Sequence, residues 1–124
     1  MALKRAARLR KSGDFQRVRQ QGRSVSSRVL ILAWSPNAVG RLRIGFVVSK
    51  RISKRAVERN YLKRLLGEAV RAYLPGLSPG MDIVLSARNA ASTATLQTLV
   101  GDMRILLQRA NLFTSVPGTT NQIT

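Results

Sequence analysis

The order of apolar and polar positions along the chain predicts three strands. Over 41–50 the two types alternate, which places Leu42, Ile44, Phe46 and Val48 on one face of a strand. Residues 81–88 alternate in the same way. Residues 27–35 are apolar on both faces, as expected of a strand that is covered on both sides.

Three other segments carry apolar residues at helical spacing. A short helix is predicted at about 13–21, with Ser12 as its N-cap and Gly22 at its end. A long helix is predicted over 55–73 and a third over 94–112. The core stripe of the third helix holds Leu96, Leu99, Val100, Met103, Leu106, Leu107 and Ala110.

These elements follow one another as helix, strands, helix, strand, helix. That order predicts an α+β fold, a small sandwich of helices on a sheet. A chain of 124 residues suffices for one domain. We expect that domain over 1–113, and a loose tail over 114–124, where "TSVPGTTNQIT" offers little to bury.

The charge of the chain is strongly one-sided. Lys and Arg number 22 against 5 Asp and Glu, for a net charge of +17. The cations are mostly Arg, whose planar fork suits phosphates and whose flat face stacks on bases. They concentrate in 1–28 and 41–71. Nucleic acid is the leading predicted partner, and an anionic membrane surface comes second.

Other counts exclude whole classes of chemistry. The chain has no Cys and no His, which leaves it poorly equipped for acid–base, nucleophilic or zinc catalysis of its own. No apolar run approaches the roughly 20 residues of a membrane span. The Arg-rich start is interpreted as a basic arm and not as a transit peptide, because the same bias recurs at 41–71. A bacterial cytoplasmic protein fits best.

The helix predicted over 55–73 divides into an apolar and a cationic side when it is wound at 100° per residue. Its apolar side holds Leu62, Leu65 and Leu66, with Tyr61 at the edge. Its cationic side holds Arg59, Asn60, Lys63, Arg64 and Arg71, with Gly67 among them. Solvated faces usually mix both signs at i,i+4, and this one hardly does. A phosphate-binding face is therefore favoured over a merely solvated one.

The stretch "RIGFVVSKRISKRAVERNYLKRLLGE" (43–68) resembles the signature of the bacterial ribonuclease P protein family. The matching pairs are Ser49-Lys50, Ala56-Val57, Arg59-Asn60 and Lys63-Arg64. Residues 8–24 and 80–88 are similar to the family's first helix and last strand. Tyr61 and Gly67 stand where the family usually has Arg.

The resemblance implies a fold and a role. The fold would be α-β-β-β-α-β-α with a left-handed crossover around the central helix. The protein would bind a catalytic RNA and the single-stranded 5′ leader of precursor tRNA, with no further protein partner and no membrane. The RNA, with Mg²⁺, would cleave off the leader, so no residue of this chain is expected to be catalytic or to bind a metal.

Two surfaces follow from the resemblance. One would meet the catalytic RNA through Lys50, Arg51, Lys54, Arg55, Arg59, Asn60, Lys63, Arg64 and Arg71. The other would be a cleft between the first helix and the open sheet face, which holds the leader with Lys11, Phe15, Arg19, Arg28, Arg43 and Arg88. The alternative for the loop at 50–54 is a flexible basic turn, and for Phe15 it is simple core packing.

The main functional alternative is a ribosomal or other structural RNA-binding protein, which shares the charge and the small fold. A self-sufficient nuclease is a weaker alternative. Asp82 and Asp102 are the only carboxylates outside the basic segments, and neither has a second acid near it in sequence to build a two-metal site.

Overall fold

The computed structural model describes residues 7–114, which form three α-helices and four strands. The elements are α1 (Ser12–Gln21), β1 (Arg23–Ser26), β2 (Leu30–Pro36), β3 (Arg43–Val47), α2 (Ala56–Arg71), β4 (Met81–Ala87) and α3 (Leu96–Arg109). Short 3-10 turns lie at Leu74–Gly76 and Asn89–Thr93. The predicted α+β class and the order α-β-β-β-α-β-α are confirmed. No helix within residues 7–114 is long and apolar enough to cross a membrane.

The four strands form one mixed sheet in the order β1-β2-β4-β3. β2 is antiparallel to both β1 and β4, whereas β3 and β4 are parallel. Parallel neighbours need a crossover connection, and α2 lies in the stretch that joins β3 to β4. The left-handed sense of this crossover stays a prediction of the family resemblance.

The main core lies between one face of the sheet and the helices α2 and α3. Leu32 and Leu85 are paired across β2 and β4 and are fully buried there. Leu66 of α2 and Met103 of α3 cover them as members of the same buried cluster. The predicted stripe of α3 is confirmed at most positions, but Leu96 is exposed because it begins the helix at the surface.

The opposite face of the sheet is covered by α1 and the segment before it. Val18 of α1, Leu9 and Val84 of β4 form a second buried cluster. Phe15 packs directly on Gly45 of β3, where an added Cβ would lie 2.5 Å from Cε1 of the ring. A glycine is needed at this position because the ring takes the space that a side chain would fill.

Several predicted boundaries shift in the structure. Ser12 is not the N-cap of α1; Lys11 holds that position, and its side chain makes no capping hydrogen bond. The strand predicted from residue 27 begins at Leu30, because Ser27 forms a turn in which its Oγ accepts from the Leu30 amide at 3.1 Å. Thr114, placed in the predicted tail, donates its amide to the Gly76 carbonyl at 2.8 Å. Residues 115–124 lie outside the described residues.

Candidate RNA interface

The orientation of α2 decides which of its side chains are presented to a partner. Leu62, Leu66 and Val70 mark the centre of its buried side. Tyr61, expected at the edge of that side, is 58% exposed, so this prediction was wrong. The helical wheel assigned Tyr61 to the core because it is apolar. The side of α2 that packs on the sheet and α3 is instead the one that carries Leu62, Leu66 and Val70, which leaves Tyr61 outward.

Most of the predicted cations of α2 face solvent. Lys63 and Arg64 are exposed, as is Asn60. Arg55 and Arg71 are exposed as well, and each lies near a carboxylate three residues away, at 3.5 Å from Glu58 and 3.6 Å from Glu68. Exposed pairs of this kind contribute little stability, so α2 presents a largely cationic face.

Arg59 plays a different part from its neighbours. It is half-buried, and its Nη1 donates to the carbonyl oxygens of Ser53 at 3.1 Å and Lys54 at 2.9 Å. These contacts tie the loop before α2 to the helix itself. Lys50, Arg51 and Lys54 of that loop are exposed. The loop is thus anchored to the helix, and its cations extend the face of α2.

A groove runs between α2 and the segment 8–10. That segment lies along the outer edge of β3, where the Leu9 amide donates to the Ile44 carbonyl at 2.9 Å. The cavity measures about 590 Å³, and its lining is Arg8, Leu9, Arg10, Phe15, Ile44, Gly45, Phe46, Asn60, Lys63, Arg64 and Gly67. We call it the cationic groove. Gly67, expected on the polar side of α2, is buried in its wall.

The groove joins residues that the sequence assigned to separate surfaces. Phe15 was expected in the leader cleft, yet it lines the cationic groove beside Lys63 and Arg64. It also packs on Gly45, so the core-packing alternative for this residue holds as well. Arg8 and Arg10 were not singled out in the sequence. Their alternation around buried Leu9 in "RLR" was the signal for an edge segment with two outward cations.

The remaining residues predicted for the leader cleft are exposed cations, namely Lys11, Arg19, Arg28 and Arg88. Arg88 donates from Nη1 to the Ser27 carbonyl at 3.1 Å, which holds it beside the turn between β1 and β2. Ile31 lies on the part of the sheet that α1 leaves uncovered, and it is exposed. These cations lie outside the lining of the cationic groove.

Arg43, also predicted for the cleft, is engaged inside the protein. Its Nε and Nη2 donate to the two carboxylate oxygens of Asp82, each at 2.8 Å, and Asp14 lies 3.7 Å away. Asp82 further accepts from Asn37 at 2.8 Å and from Arg17 of α1. With its side chain only 16% exposed, Arg43 positions α1 on the sheet and offers little surface to a leader.

The electrostatics of this cluster follow from its geometry. Burial alone would raise the pKa of Asp82, but the hydrogen bonds from Arg43 and Asn37, with the charges of Arg43 and Arg17, outweigh it and lower the pKa. The same bond to Asp82 raises the pKa of Arg43 against the opposing effect of burial. Within residues 7–114, no three His, Cys, Asp or Glu side chains lie together where they could hold a metal ion.

Comparison with known proteins decides the family. The ribonuclease P family model matches residues 3–111. The chain belongs to the ribonuclease P protein family. The ribonuclease P protein component of Chloroflexus aurantiacus is 42% identical over 121 residues, which cover 97% of this chain and 87% of the relative. That of Roseiflexus castenholzii is 42% identical over 114 residues, with 89% of this chain and 90% of the relative covered.

Solved ribonuclease P proteins share the fold. The Staphylococcus aureus protein, at 29% identity, superposes with a TM-score of 0.78 over 89% of this chain and 100% of its own. As a ribonuclease P protein component, the chain is the protein subunit of a ribonucleoprotein endoribonuclease that processes tRNA, and its partner is the ribonuclease P RNA. The alternative of a ribosomal protein is not favoured.

Proposed function

We propose that this protein binds the ribonuclease P RNA and the 5′ leader of precursor tRNA, and that it supports removal of the leader in the bacterial cytoplasm. The observation that carries the proposal is the cationic groove beside the exposed cations of α2. A chain of net charge +17 without Cys or His has little to offer a bond-breaking step. Its positive charge can instead neutralise the repulsion between two RNAs.

The contact with the ribonuclease P RNA is assigned to α2 and the loop before it. Folded RNA is recognised by its shape and its phosphates, which a dense row of cations suits. Five exposed cations lie within residues 50–64, namely Lys50, Arg51, Lys54, Lys63 and Arg64. Arg59 supports this surface indirectly, because it holds the loop through two backbone carbonyls.

The leader is assigned to the sheet face beside α1. Lys11, Arg19, Arg28 and Arg88 supply exposed cations there. Phe15, which borders the cationic groove, offers a half-buried ring for one unpaired base, a contact that is worth roughly 1–3 kcal/mol. With a single aromatic side chain, this surface would hold the leader chiefly by charge.

Magnesium is assigned to the RNA. The described residues do not fit a bound Mg²⁺, since Asp82 is occupied by two Arg side chains and Asn37, and Asp14 lies beside Arg43. The protein would act by neutralising phosphate repulsion and by holding the leader in line with the cleavage site. Both effects lower the concentration of Mg²⁺ that cleavage requires.

Reconstitution tests this proposal. Precursor tRNA with leaders of increasing length is bound and cleaved by the ribonuclease P RNA at limiting Mg²⁺, with and without the full chain. We expect the protein to restore cleavage and to increase affinity as the leader lengthens. Equal leader-length curves with and without protein would remove the leader role. Cleavage by the protein alone would contradict the assignment of catalysis to the RNA.

A further inference from the structure

Beside the cationic groove, α2 has a second hollow on its other flank. It measures about 640 Å³ and lies between α2, the loop before it and the start of α3. Its buried lining residues, Leu62 and Ala91, are apolar, and its exposed ones include Ser92 and Thr95. The lining includes Ile52, Glu58, Tyr61, Leu65, Thr95 and Leu96. We call it the tyrosine hollow.

Exposed apolar side chains gather at this hollow. Tyr61 is 58% exposed and Leu96 is 41% exposed, and both line it. Val57, which is 74% exposed, lies one helical turn before Tyr61, and side chains four residues apart on a helix are neighbours. Water solvates such a cluster poorly, and a cluster of exposed apolar residues marks a contact site.

The surrounding charge indicates the occupant. Two exposed cations, Lys54 and Arg55, directly follow Ser53, a lining residue, in the loop before α2. A second copy of this chain, also of net charge +17, would be repelled. A nucleotide is attracted, and its base presents a flat apolar face to a ring such as that of Tyr61.

The lining also includes one carboxylate that could accept from the edge of a base. Glu58 lines the hollow, accepts a hydrogen bond from Ser53 Oγ and lies 3.5 Å from Arg55. A carboxylate has about four acceptor positions, so these contacts leave Glu58 able to accept from a ligand. A carboxylate accepts hydrogen bonds from the amino group of a base, as Glu does with cytosine.

We propose that the tyrosine hollow holds one unpaired nucleobase, stacked on Tyr61 with its edge toward Glu58. This inference rests on the proposed function, since it needs an RNA docked on α2. The base belongs to the ribonuclease P RNA, because that RNA is assigned to α2 and the loop before it, whereas the leader is assigned to the sheet face beside α1.

The first test compares two substitutions at the same position. In the full chain, Tyr61→Leu keeps an apolar side chain but removes the ring, whereas Tyr61→Phe keeps the ring. We expect Tyr61→Leu to weaken binding of the ribonuclease P RNA by about fivefold to a hundredfold, and Tyr61→Phe to bind like the wild type. Ile105→Ala, an exposed apolar position on α3, is the matched control. Equal affinities of the Leu and Phe variants for this RNA would overturn the proposal.

The second test identifies the source of the base. In a Trp34→Phe background, Tyr61→Trp places the only indole of the chain in the hollow. Quenching of its fluorescence by the ribonuclease P RNA alone is the expected result, and quenching only after precursor tRNA is added would overturn the assignment of the base to that RNA. No quenching by either RNA, while the wild type binds both, would overturn this inference alone. Failure of the wild type to bind either RNA would instead contradict the proposed function, and this inference with it.

Discussion

Asp82 shows how a single residue sets the position of a whole element. Of the five carboxylates it is the only one that is fully buried. It joins Arg17 of α1, Arg43 of β3 and Asn37 of the turn between β2 and β3. A buried carboxylate is stable only when it is paired and hydrogen-bonded. Asp82 therefore fixes α1 against the sheet, and with α1 it fixes Phe15.

Removing this charge is expected to destabilise the protein. Asp82→Asn leaves Arg17 without its counter-charge and Arg43 with only Asp14 at 3.7 Å, at a cost of about 3 kcal/mol in the free energy of unfolding. Urea unfolding of this variant beside Asp102→Asn, which makes the same change outside the cluster, measures the effect. If both variants unfold at the same urea concentration, Asp82 does not hold α1.

The same residue predicts a pH dependence. Because the pKa of Asp82 is lower in the folded than in the unfolded protein, its stabilising contribution is full above the ordinary carboxyl value of about 4 and is lost as the pH falls through the folded value. The wild type should lose stability over that acidic range, and Asp82→Asn should lose less.

Gly45 and Phe15 make a second prediction at the residue scale. Gly45→Ala places a methyl group against the Phe15 ring, and overpacking of this kind costs about 1–3 kcal/mol. In a double-mutant cycle, Phe15→Leu should recover much of that loss, because the smaller side chain vacates the space. Additive losses in thermal unfolding would mean that the two residues do not touch each other.

At the scale of elements, the alternation of apolar residues in strands and their helical spacing predicted most of the fold. These patterns predicted least well where packing between elements sets the orientation of a helix or the presence of a strand. The pattern alone gave β3, β4 and the stripe of α3, since each buries a regular set of apolar residues. It did not reveal β1, where Val25 is the only apolar residue. The predicted buried side of α2 was rotated by a fraction of a turn from the observed one. A helical wheel uses only the polarity of the side chains and contains no information on the shape of the sheet and α3.

The site was predicted from the sequence only in part, for the same reason. Runs of cations are local, so the exposed face of α2 was found. Arg43 was assigned to the leader cleft because the sequence does not show that Asp82, which lies 39 residues away, is its partner. Only the parallel register of β3 and β4 places the two residues opposite each other.

The cationic face of α2 gives a prediction at this scale. Lys63→Ala and Arg64→Ala should each weaken binding of the ribonuclease P RNA and reduce the slope of log affinity against log salt by about 0.7 to 0.9 for every phosphate that the side chain neutralises in the wild type. Arg104→Ala, an exposed cation of α3, should leave the slope unchanged. A slope that is the same in all three variants would exclude α2 as the RNA-binding element.

For the whole molecule, the dominant quantity is the unbalanced charge of +17. Self-repulsion of this kind destabilises the compact state until counter-ions or a polyanion screen it. RNA binding then stabilises the fold by mass action as well as by direct interaction. The protein is thus adapted to a state in which it is bound.

This charge predicts how the isolated protein responds to salt. Raising the salt concentration from about 0.01 M to about 0.1 M shortens the range of electrostatic repulsion from about 30 Å to about 10 Å, so the Tm measured by calorimetry should rise. Arg104→Glu, which lowers the net charge, should show a smaller rise. A Tm that falls with added salt would mean that attractive pairs outweigh repulsion in the folded state.

The alternation of side chains along β3 limits where residues can be inserted or deleted. Since successive side chains of β3 alternate between the main core and the face under α1, inserting a single codon within Arg43–Val47 would exchange the two sets and bring Arg43 into the core. The turn after β2, around Val39 and Gly40, is exposed, and a residue inserted there would exchange no packed faces. Natural length variation should therefore collect in that turn, and the strand itself should keep a fixed number of residues.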